Sequence, residues 1–107
     1  MAKYFNITGA SSAAAELTRE LLAEGDNIRV SKISLTNIHA TNSCTVDLYI
    51  EKKLTGKFYF LKGVELPVGA TLIYDNMRFS NAAGEFGLYL KLNKSAAETP
   101  SVDVILQ

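Results

Sequence analysis

The chain has 107 residues, 48% of them hydrophobic, with 11 basic and 11 acidic side chains and zero net charge. A chain of that length is one domain, able to bury roughly two thirds of its unfolded surface without a disulfide or metal, and its hydrophobic content excludes disorder by composition. Zero net charge argues against nucleic acid as a partner, the single cysteine excludes an internal disulfide, and no apolar run approaches the roughly 20 residues of a membrane helix.

In chain order, residues 3–8 read as a first strand, and residues 1–12 as an N-terminal arm that orders on a neighbour. The stretch 13–24 is rich in Ala, Leu and Glu, and Ser11 or Ser12 could cap a helix there. Leu17 and Leu21, however, also share strand parity, and a repeated phrase favours a strand over 17–23. Leu22-Ala-Glu-Gly-Asp-Asn-Ile28-Arg-Val30 and Leu66-Pro-Val-Gly-Ala-Thr-Leu72-Ile-Tyr74 share the pattern Leu-x-x-Gly-x-x-Ile/Leu-x-Val/Tyr. Each copy reads as a strand end, a glycine turn and a new strand, so the two mark matched corners of one sheet structure.

A strand is predicted over 27–36, with a bulge or bend near Ser31-Lys32, because Ile28 and Val30 have one parity and Ile33 and Leu35 the other. Over 45–51, Val46, Leu48 and Ile50 alternate with Asp47, Tyr49 and Glu51. Thr55-Gly56 closes a hairpin onto a strand over 57–65, where Phe58, Phe60, Val64 and Leu66 share parity and Gly63 marks a kink. Pro67 and Gly69 form the next turn, with Gly69 suited to a positive φ. Strands follow over 70–75, 85–92 and 101–106, the last two alternating through Leu88, Leu90 and Leu92 and through Val102, Val104 and Leu106. About eight strands at this spacing predict an all-β fold, a single antiparallel β-sandwich of jelly-roll or Ig-like type spanning residues 1–107.

The groups that carry chemistry are sparse. His39 and Cys44 lie five apart across a loop, with no third residue to orient a nucleophile–base pair. They read as a loop histidine and a buried thiol. One Cys and one His do not make a zinc site, and Asp26, Asp47, Asp75 and Asp103 lack calcium-loop spacing. No phosphate or dinucleotide fingerprint occurs. The expectation is no catalytic residues, no cofactor, no metal and no enzymatic activity.

The positive signal is aromatic and cationic. Tyr49, Tyr59 and Tyr89 fall on the parity opposite the apolar residues and so face outward, either as interface or ligand-binding tyrosines or packed under loops or paired across strands of the sheet. Lys52, Lys53 and Lys57, with Lys62 beyond them, flank the central hairpin, as a solvated tip or as a surface for an acidic partner or nucleic acid. These six residues, Tyr49, Tyr59, Tyr89, Lys52, Lys53 and Lys57, are the interface candidates.

The runs Ile33-Ser-Leu-Thr-Asn37 and Val46-Asp-Leu-Tyr-Ile50, the turn Leu66-Pro-Val-Gly-Ala-Thr-Leu72 and the closing Val102-Asp-Val-Ile-Leu106 come in an order that resembles small β-sandwich structural proteins of tailed-bacteriophage virions. The resemblance covers residues 17–106. It implies a non-enzymatic virion subunit, foremost a head-decoration (cement) protein, with a neck, tail or fibre component as the nearest variant. It also implies homo-oligomers and contact with other virion proteins such as a major capsid protein, after folding in the host cytoplasm. A carbohydrate-binding module using the outward tyrosines, with a glycan as partner, is the alternative from another class.

Overall fold

Ten strands run antiparallel through the residues that this computed structural model describes, which are 3–8, 16–23, 28–52, 54–80, 86–93 and 100–107. They are β1 (Lys3–Thr8), β2 (Glu16–Leu22), β3 (Arg29–Val30), β4 (Ile33–Asn37), β5 (Cys44–Lys52), β6 (Gly56–Leu66), β7 (Thr71–Tyr74), β8 (Phe79–Ser80), β9 (Gly87–Asn93) and β10 (Ser101–Leu106). β1 pairs with β10, β2 with β9, β3 with β8, β4 with β7 and β5 with β6. The chain is therefore one long two-stranded ribbon, doubled back at the β5–β6 hairpin.

Two more pairings, β10 with β4 and β5 with β9, roll that ribbon into two four-stranded sheets. Their strand orders are β1-β10-β4-β7 and β2-β9-β5-β6, with β3-β8 as a short ribbon at the corner between them. This is a jelly roll, the double-sheet arrangement built from two Greek keys, and its order differs from that of the Ig sandwich. The all-β sandwich expected from the alternation is the fold observed.

Alternation determines the core. Val46 and Leu48 of β5, Leu88, Leu90 and Leu92 of β9, Val102, Val104 and Leu106 of β10, and Ile33 and Leu35 of β4 are all buried between the sheets. Each such side chain stabilises the fold by about 1.5–3 kcal/mol relative to exposure. At the open edge, the Arg19 guanidinium lies 5.4 Å from the centroid of Phe5, bridging β2 and β1.

The irregularities fall where parity changes. Residues 16–22 are strand and not helix, and a register shift between Glu20 and Leu22 lets the adjacent Leu21 and Leu22 both turn inward. The long strand expected over 27–36 is two strands. Ser31 and Lys32 leave the ladder and donate their N–H groups to the carbonyl oxygen of Gln107 at 2.8 and 3.1 Å. Gly63 has φ 62° within the irregular register of β5 and β6, which is the expected kink. Gly69 has φ 74° in the turn closed by Ala70 N–H on Pro67 O at 3.1 Å.

The repeated phrase is matched only in part. Leu22 ends β2 and Leu66 ends β6, both buried in the second sheet, but after Leu66 the chain enters β7 of the first sheet, whereas after Leu22 it first forms β3, paired with β8 in the corner ribbon, before reaching β4. Gly25 lies outside the described residues, so the comparison stops at the strands. The N-terminal arm expected over 1–12 is corrected for residues 3–8: these form edge strand β1, matched to β10 from Lys3 opposite Leu106 to Thr8 opposite Ser101. Residues 9–12 lie outside the described set.

Candidate functional site

The outer face of the second sheet brings the three tyrosines together. Register sets Tyr59 of β6 opposite Tyr49 of β5, Tyr49 opposite Tyr89 of β9, and Tyr89 opposite Glu20 of β2. The result is a row of side chains crossing all four strands. Tyr49 and Tyr89 stack with ring centroids 5.5 Å apart and planes 11° from parallel, and Tyr59 tilts against Tyr49 at 5.3 Å. At the end of the row the Tyr89 hydroxyl donates to a Glu20 carboxylate oxygen at 3.0 Å. Stacked pairs at such spacing contribute about 0.5–1.5 kcal/mol each beyond their buried area.

Lysines cap the rings. Lys57 Nζ lies 5.0 Å from the centroid of Tyr49, and Lys62 Nζ lies 4.7 Å from that of Tyr59. Lys62 also reaches Asp47 Oδ2 at 3.4 Å, while Asp47 Oδ1 accepts the Gly63 N–H at 2.6 Å. The bulge at Gly63 thus presents its N–H to the otherwise buried Asp47 carboxylate, and the lysine beside it completes the charge. Burial, then the negative charge of Glu51, pushes the Tyr49 hydroxyl pKa above the ordinary tyrosine value, while Lys91 and a hydrogen bond with Thr18 pull the other way.

The candidates therefore divide. Tyr49 faces outward as predicted but is only 3% exposed, because its two neighbours and Lys57 cover it. It is the middle of the row, and of the two readings of the outward tyrosines it takes the cross-strand pairing. Tyr59, at 44% exposed, is the open end. Tyr89 is half-buried, and Lys57 is exposed. Lys52 is half-buried, 6.0 Å from the centroid of Phe86. Lys53 lies outside the described residues.

Two apolar residues on the same hairpin escaped the sequence reading. Phe58 has core parity, yet it is 54% exposed and meets the Phe86 ring edge-on at 5.7 Å, because β6 runs past the end of the core. Leu54 sits at the hairpin tip, 100% exposed, with φ 70°. The Thr55 N–H donates to Lys52 O at 3.0 Å across that turn. A leucine at a turn position where Gly or Asn is the usual residue was the available signal.

His39 Nδ1 accepts the N–H groups of Thr41 and Asn42 at 3.1 and 3.0 Å, and Cys44 is buried in the core. Among the described residues, no three His, Cys, Asp or Glu side chains group to hold a metal ion.

No family model matches the chain, and no curated protein sequence matches it. A solved structure described as the crystal structure of PirA superposes with a TM-score of 0.64 over 97% of this chain and 93% of that one, at 9% identity. At that identity the likeness is one of fold.

Proposed function

We propose that this chain is a non-enzymatic structural protein of a tailed-phage virion, a head-decoration subunit that binds by burying the β5–β6 hairpin and the adjoining tyrosine row on a neighbouring subunit. The observation that carries the reading is Leu54, a fully exposed leucine held in the left-handed region at the tip of the hairpin. A non-glycine residue there costs roughly 1–2 kcal/mol, and solvent exposure returns nothing to the isolated fold. Burial in a partner would supply the compensation, with Phe58 and Tyr59 extending the apolar contact and Lys57 and Lys62 at its rim. The order of motifs and the jelly-roll fold support the same reading. A neck, tail or fibre position uses the same contact, and repetition of the contact in a homo-oligomer or around a particle adds avidity to each weak copy.

The carbohydrate-binding alternative receives less support from the geometry. A sugar stacks on an open ring face, and here the tyrosines use their faces on one another and on lysines.

The test is co-sedimentation of the purified protein with phage heads lacking it, with light scattering on the free protein. Saturable binding to heads, reduced at least tenfold by Leu54→Asp, is the expected result. A protein that stays monomeric and binds no particle overturns the proposal, as does binding indifferent to Leu54, Phe58 and Tyr59.

A further inference from the structure

A second feature shares no residue with the tyrosine row or the hairpin. The β3–β8 ribbon pairs Arg29 with Ser80 and Val30 with Phe79. Val30 and Phe79 turn into the core and are buried, which leaves the neighbouring positions pointing away from it. Arg29, Ser31, Arg78 and Ser80, together with Val30, Phe79 and Gln107, line an open cavity of about 470 Å³. Small-ligand sites commonly fall at roughly 300–1,000 Å³, apolar with a few convergent polar groups.

The polar groups here are led by two cationic donors. Two guanidiniums supply several N–H donors in planar forks, two serines supply hydroxyls, and a glutamine supplies a carboxamide. Among the described residues, neither Arg29 nor Arg78 forms an ion pair, whereas Lys62 pairs with Asp47. Arg78 is placed by an unusual backbone, with φ 49°, in the region that favours Gly or Asn. The ribbon is anchored on both sides: Ser31 N–H and Oγ–H donate to Gln107 O at 2.8 and 3.3 Å, and Met77 N–H donates to Ser31 O at 3.2 Å. The two arginines therefore sit on a fixed frame.

We infer that this cavity binds an oxyanion, a carboxylate or phosphate group carried on a small ligand. Arg29 and Arg78 hold the anion from two sides, in the planar geometry that suits bidentate recognition of either group, and the Ser80 hydroxyl donates to a remaining lone pair. The inference is independent of the assembly reading and would stand if that reading failed.

The experiment is an amide-resonance titration of the full chain with sodium benzoate and, separately, inorganic phosphate, using benzamide as the uncharged control. Saturable shifts at Ser31, Ser80 and Gln107 with either anion and none with benzamide are expected. A carboxylate source is indicated where benzoate binds more tightly than phosphate, and a phosphate source where the order is reversed. Arg29→Gln and Arg78→Asn should each weaken binding by about 10- to 100-fold, the loss of one charge-assisted contact. Arg78→Asn also separates binding from folding. Asparagine suits the backbone at this position, so its melting temperature should hold or rise while affinity falls. Absence of saturable shifts with both anions overturns the inference, and so do shifts that survive Arg78→Asn.

Discussion

Asn37 tests whether the corner between the two sheets is held by one buried polar side chain. It is fully buried, one of two buried polar residues among those described. Its Nδ2 donates to Leu66 O at 2.9 Å and to Asn42 O at 3.1 Å, and its Oδ1 accepts the His39 N–H at 2.9 Å. Its backbone joins in, donating to Ala70 O and accepting from Gly69 N–H. One side chain therefore ties the end of β4 to the end of β6, in the other sheet, and to the loop that leads into β5. Asn37→Ala strands a buried carbonyl at Leu66, at about 1–3 kcal/mol, and exposes two part-buried groups that water can partly satisfy. The expected loss is about 3 kcal/mol. With roughly 2 cal/mol/K per residue of unfolding entropy, that lowers the melting temperature of a chain this long by about 13 °C.

Asn37→Asp sharpens the test, because it replaces the donor facing two carbonyls with an acceptor. At neutral pH the variant carries a buried charge and should be less stable than Asn37→Ala. Burial raises the folded-state pKa of the new carboxyl above the unfolded value of about 3.9. Its penalty is therefore absent below about pH 4 and grows as pH rises through the folded pKa. Protonated, it regains a donor toward Leu66 O, so in acid it should overtake Asn37→Ala. Urea melts of both variants and wild type at about pH 4 and pH 7, repeated at several protein concentrations, give the comparison. An Asn37→Ala loss under about 1 kcal/mol, or the same ranking of the two variants at both pH values, refutes the reasoning.

Leu90→Ala, in the middle of β9 and fully buried, should cost about 2–5 kcal/mol by chemical denaturation, whereas Ile73→Ala on the exposed face of β7 should stay within about 0.5 kcal/mol. Comparable losses at the two sites would contradict the assignment of the core. Tyr49→Phe should flatten the alkaline limb of stability. The raised pKa keeps the folded hydroxyl protonated while the unfolded one ionises near pH 10, so the wild type loses stability as pH rises above that point and the variant loses less. Parallel limbs in melts between neutral and strongly alkaline pH would remove burial as the cause. Leu54→Asn relieves the left-handed strain and gives up no buried area. It should raise the melting temperature by about 2–5 °C while weakening particle binding. A variant that loses stability would mean that the turn does not hold Leu54 under strain.

What the sequence made legible was parity. Val46, Leu48, Leu88, Leu90, Leu92, Val102 and Val104 alternate in the sequence and all face the core. Gly63 and Gly69 were readable because few other residues suit their backbone. Coverage was not readable. Tyr49 has the outward parity that predicts contact, and it is buried by side chains on β6 and β9 that only the register brings beside it. Phe58 failed in the opposite sense, since parity says which way a side chain points and not whether the opposite sheet extends that far. The strands β3 and β8 are two residues each, too short for a period to show. The pairing of Arg29 with Ser80, on which the cavity depends, had no trace in the sequence.

The same register accounts for how a small domain could present a hairpin rigidly. The tip at Leu54 is the point where the rolled ribbon doubles back, with one pair of strands beneath it. A free two-stranded hairpin is marginal in water. Here β5 is also paired with β9 along its length, from Thr45 opposite Asn93 to Glu51 opposite Gly87. The Tyr59–Tyr49–Tyr89 row stiffens the outer face of β6, β5 and β9 together, and Phe58 against Phe86 does the same at the end nearer the tip. Rings packed in register are ordered before any partner arrives, so little rotamer entropy remains to be lost on docking. On the proposed assembly reading, the buried Tyr49 contributes to binding without touching a partner. Tyr49→Ala should weaken particle binding as much as Tyr59→Ala does, and should do so through order lost at the hairpin, visible as raised amide exchange at residues 56–60. Weakened binding with unchanged exchange there would place the effect elsewhere.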